Sequence, residues 1–491
     1  MDNSKEKSKK LPEKKIDSEK ANNILKTRDD HDIVYFQSNP EGKFVLAKGA
    51  ECSWVKETEF GFKELRQRIE PWLTSLFQSE HLSLLAGSGL MHGVHILATG
   101  EKPMGGMNTP SFSKFQEQIS VNAEASAGKV GRKPANFEDS IRSANELLRG
   151  LKILNIPIKS KDATGITQDN WDDVGALQSE IKVHLEKFAD SILTAELGII
   201  NADKKKREDA FNILINFLMS FASRTGTRDR LNVFTTNYDR LIEAGAELAG
   251  LHLLDRFLGN LMPIFRSSRL DLDMHYNPPG IRGEPRYLEG VARFTKLHGS
   301  LDWVQSGDEI RRMGLPFGDN RIGTYLKAPH SDGATAHQLM IYPNSAKDRE
   351  TAHYPYVELF RDFAAAICRP NSTLVTYGYS FGDEHINRVI KDMLTIPSTH
   401  LVIISYDDPL GRIMDTYIKL GRHSQITLLV GESLGDLKTL VDNFLPKPAI
   451  DRATFRLSEI LKYRFGTHET DKPPDAGDKK QKENESQRDS S

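Results

Sequence analysis

Short, continuous apolar runs recur along the chain, and longer segments with helical periodicity separate them. The runs are rich in β-branched residues and do not alternate strictly between apolar and polar positions, which is typical of parallel strands buried on both faces. The predicted strands are 81–87, 232–237, 339–343, 372–378, 400–407 and 425–431. The predicted helices around them are 62–77, 356–368, 383–394 and 415–421. This order predicts an α/β fold with a doubly wound parallel sheet.

One long stretch departs from this rhythm because it contains helical patterns and no convincing strand. At 491 residues the chain exceeds the usual size of one domain, so an inserted module is expected. The predicted fold class is therefore α/β, a Rossmann-like doubly wound parallel sheet with a helical insertion and disordered tails. The predicted segments are a polar tail at 1–30, the start of the sheet domain at 31–114, the helical insertion at 115–229, the remainder of the sheet domain at 230–450, a C-terminal helix at 451–466 and a polar tail at 467–491. A second, irregular insertion at about 251–292 is expected to form a surface loop or lid.

Composition and cysteine usage exclude several classes of protein. The formal net charge of -2 gives no overall attraction to nucleic acid or to an anionic membrane. No apolar run approaches the roughly 20 residues that span a bilayer, and the polar N-terminus has no signal-peptide core, so a cytoplasmic protein is expected. The only two cysteines, Cys52 and Cys368, form no CxxC pair, which excludes a four-thiolate zinc site.

The first candidate motif is a glycine-rich turn, Ala86-Gly87-Ser88-Gly89, directly after the strand at 81–87. Such a turn lets backbone amides approach a pyrophosphate, although the same residues also form ordinary tight turns. A third glycine at dinucleotide-fold spacing is missing, which argues against a dehydrogenase.

Three further polar motifs follow predicted strands. The first is Thr235-Thr236-Asn237-Tyr238-Asp239, which is either part of a ligand site or a helix cap. The second is His298 beside Gly299, and this histidine is either a structural residue or a catalytic base. The third is the strand-to-helix turn that contains Gly378 and Ser380. Because the carboxyl ends of parallel strands meet at one edge of a sheet, the four motifs together predict a ligand site there.

Taken in order, the motifs GSG, TTNYD, KLHGSLDW and GYSFGDEHIN resemble the bacterial sirtuin-like NAD hydrolases of anti-phage defence, a zinc-less branch of the sirtuin superfamily. The resemblance runs from about residue 80 to 410 and skips the helical insertion. The segment 109–115 looks like the Pro-x-aromatic stretch that follows the glycine turn in this family, displaced here by extra residues.

The resemblance implies NAD as the substrate, no zinc, and two catalytic residues. Asn237 would hold the nicotinamide ribose and an attacking water, and His298 would be the base. The implied NAD-binding residues are Ala86, Gly87 and Gly89 at the pyrophosphate, Thr236 and Asp239 on the nicotinamide side with Asp239 at the carboxamide, and Gly378 and Ser380 at the adenosine half, with the turn 405–407 near the adenine.

We therefore expect a cytoplasmic NAD glycohydrolase that releases nicotinamide and ADP-ribose and acts as a defence effector during phage infection. The alternatives are an NAD-dependent protein deacylase or ADP-ribosyltransferase, and a non-catalytic scaffold that binds NAD or ADP-ribose. A homo-oligomer is expected, and the resemblance adds a separate HerA-type ATPase as a candidate partner. No membrane partner is expected, and nucleic acid only through such a partner.

Overall fold

A computed structural model describes residues 22–27, 30–50, 52–55, 59–103, 109–129, 134–154, 169–224, 229–267, 273–276, 286–306, 308–319, 335–336 and 355–447. The predicted strand at 339–343 and the predicted C-terminal segments at 451–466 and 467–491 lie outside these ranges.

The strands in chain order are β1 Asn23–Lys26, β2 Val34–Ser38, β3 Phe44–Leu46, β4 Glu59–Phe60, β5 His81–Ala86, β6 Leu231–Thr235, β7 His252–Leu254, β8 Phe257–Leu258, β9 Ile264–Phe265, β10 His275–Tyr276, β11 Arg286–Tyr287, β12 Val291–Lys296, β13 Trp303–Ser306, β14 Glu309–Arg312, β15 Thr335–Ala336, β16 Ser372–Tyr377, β17 His400–Ser405 and β18 Ile426–Gly431. The helices are α1 Phe62–Phe77, α2 Ser88–Thr99, α3 Gln116–Lys129, α4 Phe137–Leu154, α5 Asp169–Asn201, α6 Lys204–Ala222, α7 Leu241–Ala249, α8 Tyr356–Ile367, α9 Glu384–Met393, α10 Arg412–Leu420, α11 Glu432–Gly435 and α12 Leu437–Asn443.

The main sheet confirms the predicted α/β class and is mostly parallel. Its strand order is β4-β3-β2-β1-β18-β17-β16-β5-β6-β12-β7, and every neighbouring pair from β18 to β7 is parallel. The register places Leu84 of β5 between Val233 and Val375. The strands β5, β16, β17 and β18 are buried along their whole length, which explains their continuous apolar runs.

Helices cover both faces of this sheet, so alternate residues of each strand enter two different cores. Val375 and Tyr377 of β16 pack into one core with residues of α1, α2, α6 and α12. Leu374 points the other way, into a core with residues of α8, α9 and α10. The sheet is therefore doubly wound, as the sequence predicts.

Helices α3 to α6 occupy the stretch between β5 and β6 that the sequence identifies as a helical insertion, and its described residues contain no strand. The hydrophobic core of these helices also includes residues of the sheet domain. Phe137 of α4 stacks on Phe188 of α5 at a centroid distance of 4.8 Å. The same cluster includes Tyr238 and Leu301, which belong to two of the candidate motifs.

The region at 251–292 differs from the irregular loop that its sequence suggests. Its described residues contain short strands, of which β7 is the parallel edge strand of the main sheet. The strands β8 and β9 join a five-stranded sheet of order β15-β13-β14-β9-β8. The turn residues Pro and Gly in this region hid these two- and three-residue strands from periodicity.

The predicted polar tail at 1–30 is wrong at its C-terminal end. Asn23–Lys26 form β1, which pairs antiparallel with β18, and β2 to β4 continue antiparallel from it. The Leu25 side chain is fully buried in the core beside α1. The polar composition of the first 20 residues concealed this four-residue strand, because its stability comes from its partner strand.

We predict that Leu25→Ala lowers the free energy of unfolding by about 2–5 kcal/mol, the usual cost of truncating a buried leucine. Chemical denaturation of the full chain measures it. The matched control is Gln37→Ala, whose side chain is exposed on the adjacent β2 and should change stability little. A Leu25→Ala chain as stable as the control would contradict the role of β1.

Candidate active site

The carboxyl ends of β5 and β16 meet in direct backbone contact. The Gly87 amide donates to the Tyr377 carbonyl over 2.9 Å, and the Gly89 amide donates to the Gly378 carbonyl over 3.1 Å. The predicted glycine-rich turn and the predicted GYS turn therefore form one structure, as expected for neighbouring parallel strands.

The glycines are required by this contact. A Cβ atom on Gly89 would lie 2.6 Å from the Cα of Gly378, and one on Gly378 would lie 2.5 Å from the Cα of Gly89. Gly378 also has a φ of +59°, in the left-handed region that favours glycine. The amides of Gly87 and Gly89 are thus used within the protein, and the next group at this edge is the exposed Ser88, the first residue of α2.

Asn237 is the predicted catalytic residue that the structure ties most directly to this turn. Its side chain is buried, and its Nδ2 donates to the Gly87 carbonyl over 3.0 Å. Thr235 Oγ1 fixes its backbone by accepting from the Asn237 amide at 3.0 Å and donating to the Ala86 carbonyl at 2.9 Å. The amide oxygen Oδ1 remains as the atom that can accept a hydrogen bond from a ribose hydroxyl or a water molecule. Thr236, half-buried, donates its amide to Ala86 at 3.4 Å.

His298 follows β12, the strand next to β6, and its residue is 1% exposed. The turn that carries it is fastened to the Asn237 turn, because Leu297 donates its amide to the Thr235 carbonyl at 2.8 Å and Leu301 donates to the Tyr238 carbonyl at 3.1 Å. His298 is therefore a buried residue and not a surface residue.

A second buried histidine, His385 of α9, faces His298 with ring centroids 5.6 Å apart. The His385 ring also contacts the Phe360 ring of α8, with centroids 4.7 Å apart. Sequence reasoning missed this residue although it lies inside the motif GYSFGDEHIN, because the motif was interpreted only through its glycine and serine.

Asp239 directly precedes Arg240, the N-cap residue of α7. Its Oδ1 accepts from the Leu241 amide at 3.0 Å at the start of α7. Burial raises the pKa of this carboxyl, and the positive charge of Lys296 opposes the rise. The predicted contact of Asp239 with a nicotinamide carboxamide stays a prediction.

Next to these turns lies a charged pair that the sequence did not reveal, in which Lys296 is buried and Glu243 is partly exposed. Lys296, the last residue of β12, donates from Nζ to Glu243 Oε1 at 2.9 Å and also to the Asp239 carbonyl. The other oxygen of Glu243, Oε2, is buried with no hydrogen-bond partner in the described part of the chain. Burial, opposed by Lys296, raises the pKa of Glu243 to about 7.

The helical insertion, helices α3 to α6 (called the helical module below), contacts the site through a second charged pair, between Arg240 and Glu196. Arg240 donates its amide to Glu196 Oε1 at 2.8 Å, and its guanidinium binds the same carboxylate. The guanidinium also donates to the carbonyls of Leu315 and Pro316, each at 2.9 Å. Glu196, from the middle of α5, is fully buried. The turn that carries Asn237 is thus anchored to a helix of the module.

The predicted adenosine side is less enclosed. Ser380 is exposed, whereas the adjacent Tyr379 is buried and donates its hydroxyl to Asn387 Oδ1 of α9 at 3.1 Å. At the end of β17 the Ser405 hydroxyl donates to the Asp407 carbonyl at 2.8 Å, which occupies that hydroxyl within its own turn.

Both cysteines are half-buried and free, and burial raises the pKa of each thiol. Within the described ranges, no three His, Cys, Asp or Glu side chains come together to hold a metal ion. In the same ranges, no helix is both long and apolar enough to cross a membrane.

Three of the four strand-end motifs, those at Asn237, His298 and Gly378, lie in a segment that matches a known protein family. Residues 231–424 match the family model of the SIR2-like domain. The match supports a place in the sirtuin-like superfamily and the use of NAD. It begins at β6, so the glycine turn of β5 and helices α2 to α6 lie outside it. No curated protein matches the chain.

We predict that Gly378→Ala, inside the SIR2-like segment, lowers the free energy of unfolding by about 2–5 kcal/mol. The left-handed φ accounts for about 1–2 kcal/mol and the overlap with the Gly89 backbone for about 1–3 kcal/mol more. Denaturant titration measures the loss.

The matched control is Gly411→Ala, because Gly411 has a φ of +65° and nothing within 4 Å of an added Cβ. It should lose only the conformational cost. Equal losses in the two variants would show that the contact between the two turns is not tight.

We also predict a pH signature of Glu243. Because its folded pKa is raised, the folded chain binds this proton more tightly than the unfolded chain, so stability falls as pH rises from the unfolded value of about 4.3 to the folded value of about 7. Glu243→Gln removes this titration, so its stability relative to the parent should rise by about 2–3 kcal/mol across that window.

The measurement is denaturant unfolding at several pH values between 4 and 8. Glu247→Gln, an exposed residue one turn along α7, is the control and should leave the pH profile unchanged. Parallel profiles for the parent and Glu243→Gln would contradict the raised pKa.

Proposed function

We propose that the protein is an NAD glycohydrolase that cleaves NAD to nicotinamide and ADP-ribose. The observation that carries the proposal is the buried amide of Asn237, held against the Gly87 carbonyl at the edge where β5, β6, β12 and β16 end. The SIR2-like match of residues 231–424, which includes both Asn237 and His298, supports NAD as the substrate.

The same edge offers a site for the phosphates of a dinucleotide. The glycines Gly87, Gly89 and Gly378 let the two turns pack against each other, because the space beside each of them is filled by the facing turn. The N-terminus of α2, with Ser88 exposed, faces the same edge and favours negative charge.

The reaction exchanges one bond for another. The bond between the ribose C1′ and the nicotinamide nitrogen breaks and its electron pair leaves with the ring, so nicotinamide departs as a neutral molecule. The oxygen of water forms the new bond to C1′, and the second proton of that water is released. Stabilisation of positive charge on the ribose ring and placement of the water are then the tasks of the protein.

Asn237 and His298 divide these tasks. The Oδ1 of Asn237 accepts a hydrogen bond from the water or a ribose hydroxyl, which orients the nucleophile. His298 accepts the released proton directly or through a ribose hydroxyl. The burial of both residues keeps bulk water away from the reacting carbon.

We predict that the purified chain incubated with NAD alone releases nicotinamide, and that Asn237→Ala and His298→Ala each lose about 10²–10⁴-fold in rate, as removal of a positioned polar group or base does. Chromatography of the reaction measures nicotinamide. The matched control is His252→Ala, because His252 is exposed on β7, and it should keep the parental rate.

Other outcomes separate the alternatives. Release that requires an acylated or acceptor protein would identify a deacylase or an ADP-ribosyltransferase. Binding of NAD with no release by the parent in any assembly state would identify a scaffold. Equal rates in the parent and His298→Ala would overturn the role of His298.

Control of the activity by assembly is part of the proposal, since a hydrolase of NAD harms its own cell. The helical module supports it, because α3, α4 and α5 expose apolar side chains at Val121, Ile153, Leu154 and Val183. Partners are further copies of this chain or a separate ATPase of the HerA type, in a defence response to phage. Size separation with light scattering before the nicotinamide assay tests this point, and full activity in a monomer fraction would contradict it.

A further inference from the structure

We call the candidate site around Asn237, His298 and the glycine turns the strand-end site. A cavity of about 400 Å³ lies outside it, between the main sheet and the five-stranded sheet. Asn232 and Arg293 line it from the bodies of β6 and β12, and Phe234 and Thr295 are the next-to-last residues of these strands. The lining does not include Asn237, His298 or the glycines of the two turns. Its volume is in the range of small-molecule sites, roughly 300–1,000 Å³. The cavity is therefore a separate place where a ligand can bind.

The wall of the cavity carries more positive than negative charge. It contains four arginines and two aspartates, namely Arg256, Arg266, Arg293, Arg312, Asp255 and Asp362. Both aspartates are already matched, since Arg256 forms a two-pronged pair with Asp362 at 2.7 and 2.9 Å and Arg312 pairs with Asp255. Glu358 adds a second negative charge 3.8 Å from Arg256.

The two remaining arginines differ from this pattern. Arg293 is half-buried on β12, with Asn232 and Leu254 opposite it in the neighbouring strands. Arg266 is exposed. Among the described residues, neither guanidinium has a hydrogen-bond or ion-pair partner. Both guanidinium groups are therefore available to bind an anion in the cavity.

The other walls give the cavity a mixed character. Phe257 and Phe294 supply aromatic surface, and the guanidinium of Arg312 lies over the Phe257 ring at 5.0 Å. Asn232 and Thr295 supply polar groups that can bind hydroxyls. Guanidinium groups bind phosphates through paired hydrogen bonds, and aromatic walls suit a planar group.

We propose that this cavity binds a phosphorylated small molecule of about mononucleotide size, with Arg293 as the phosphate ligand and Arg266 assisting at the opening. The proposal is independent of nicotinamide release, because no residue of the strand-end site takes part in it.

Isothermal titration calorimetry of the full chain at constant ionic strength tests it, with AMP, inorganic phosphate and adenosine as probes. AMP should bind saturably, phosphate more weakly, and adenosine weakest, because the phosphate provides the charge. Arg293→Ala should weaken AMP binding about 10- to 100-fold, as expected when a charge-assisted hydrogen bond to phosphate is lost. Arg293→Lys should retain part of the affinity, because it keeps the charge and loses the paired geometry.

Controls separate this cavity from the strand-end site and from misfolding. Arg149→Ala, at an exposed position of α4, should bind AMP like the parent. Loss of affinity in Ser380→Ala, an exposed position on the predicted adenosine side, together with full affinity in Arg293→Ala, would place AMP at the strand-end site and overturn the proposal. Arg266→Ala changes an exposed side chain and leaves the fold intact, so it gives a second reading if Arg293→Ala is unstable. Absence of saturable binding to the parent, or unchanged affinity in both arginine variants, would also overturn it.

Discussion

Two backbone turns at the ends of β5 and β16 approach so closely that the contacting positions, Gly87, Gly89 and Gly378, cannot carry a side chain. Their amides and carbonyls bond to each other, at 2.9 Å for Gly87 and 3.1 Å for Gly89. The Asn237 side chain then bonds to the carbonyl of Gly87, and the turn with His298 bonds to the strand that leads to Asn237. Each candidate residue is thus positioned by main-chain contacts that begin at the glycines.

Two charged pairs hold the turns at this edge of the sheet in place. Lys296 joins Glu243 to the carbonyl of Asp239, and Arg240 joins the Asn237 turn to Glu196 of the helical module. Removing one partner of such a pair leaves an uncompensated charge, which costs more than the pair contributes, so these contacts specify one arrangement of the turns. They also provide a physical route by which a change in the helices reaches the site.

The two halves of the candidate site differ in enclosure. The Asn237 and His298 turns are buried and fastened to each other, whereas Ser380 on the predicted adenosine side is exposed. A glycohydrolase needs this asymmetry, because water must be controlled at the ribose carbon that reacts and not at the adenine. The lining of the cavity with Arg293 includes none of these residues, so an anion there would bind without occupying the candidate site.

The sequence by itself determined the class of fold, the positions along the chain of the fully buried central strands and the strand-end motifs. Continuous apolar runs at β5, β16, β17 and β18 report burial on both faces, and glycines at 87, 89 and 378 report close backbone contact. Only the tertiary structure decided that β1 completes the sheet, that His385 faces His298, and that Lys296 and Arg240 find their carboxylates. These features depend on pairs of residues far apart in the chain, and neither local periodicity nor a short motif contains information about the partner.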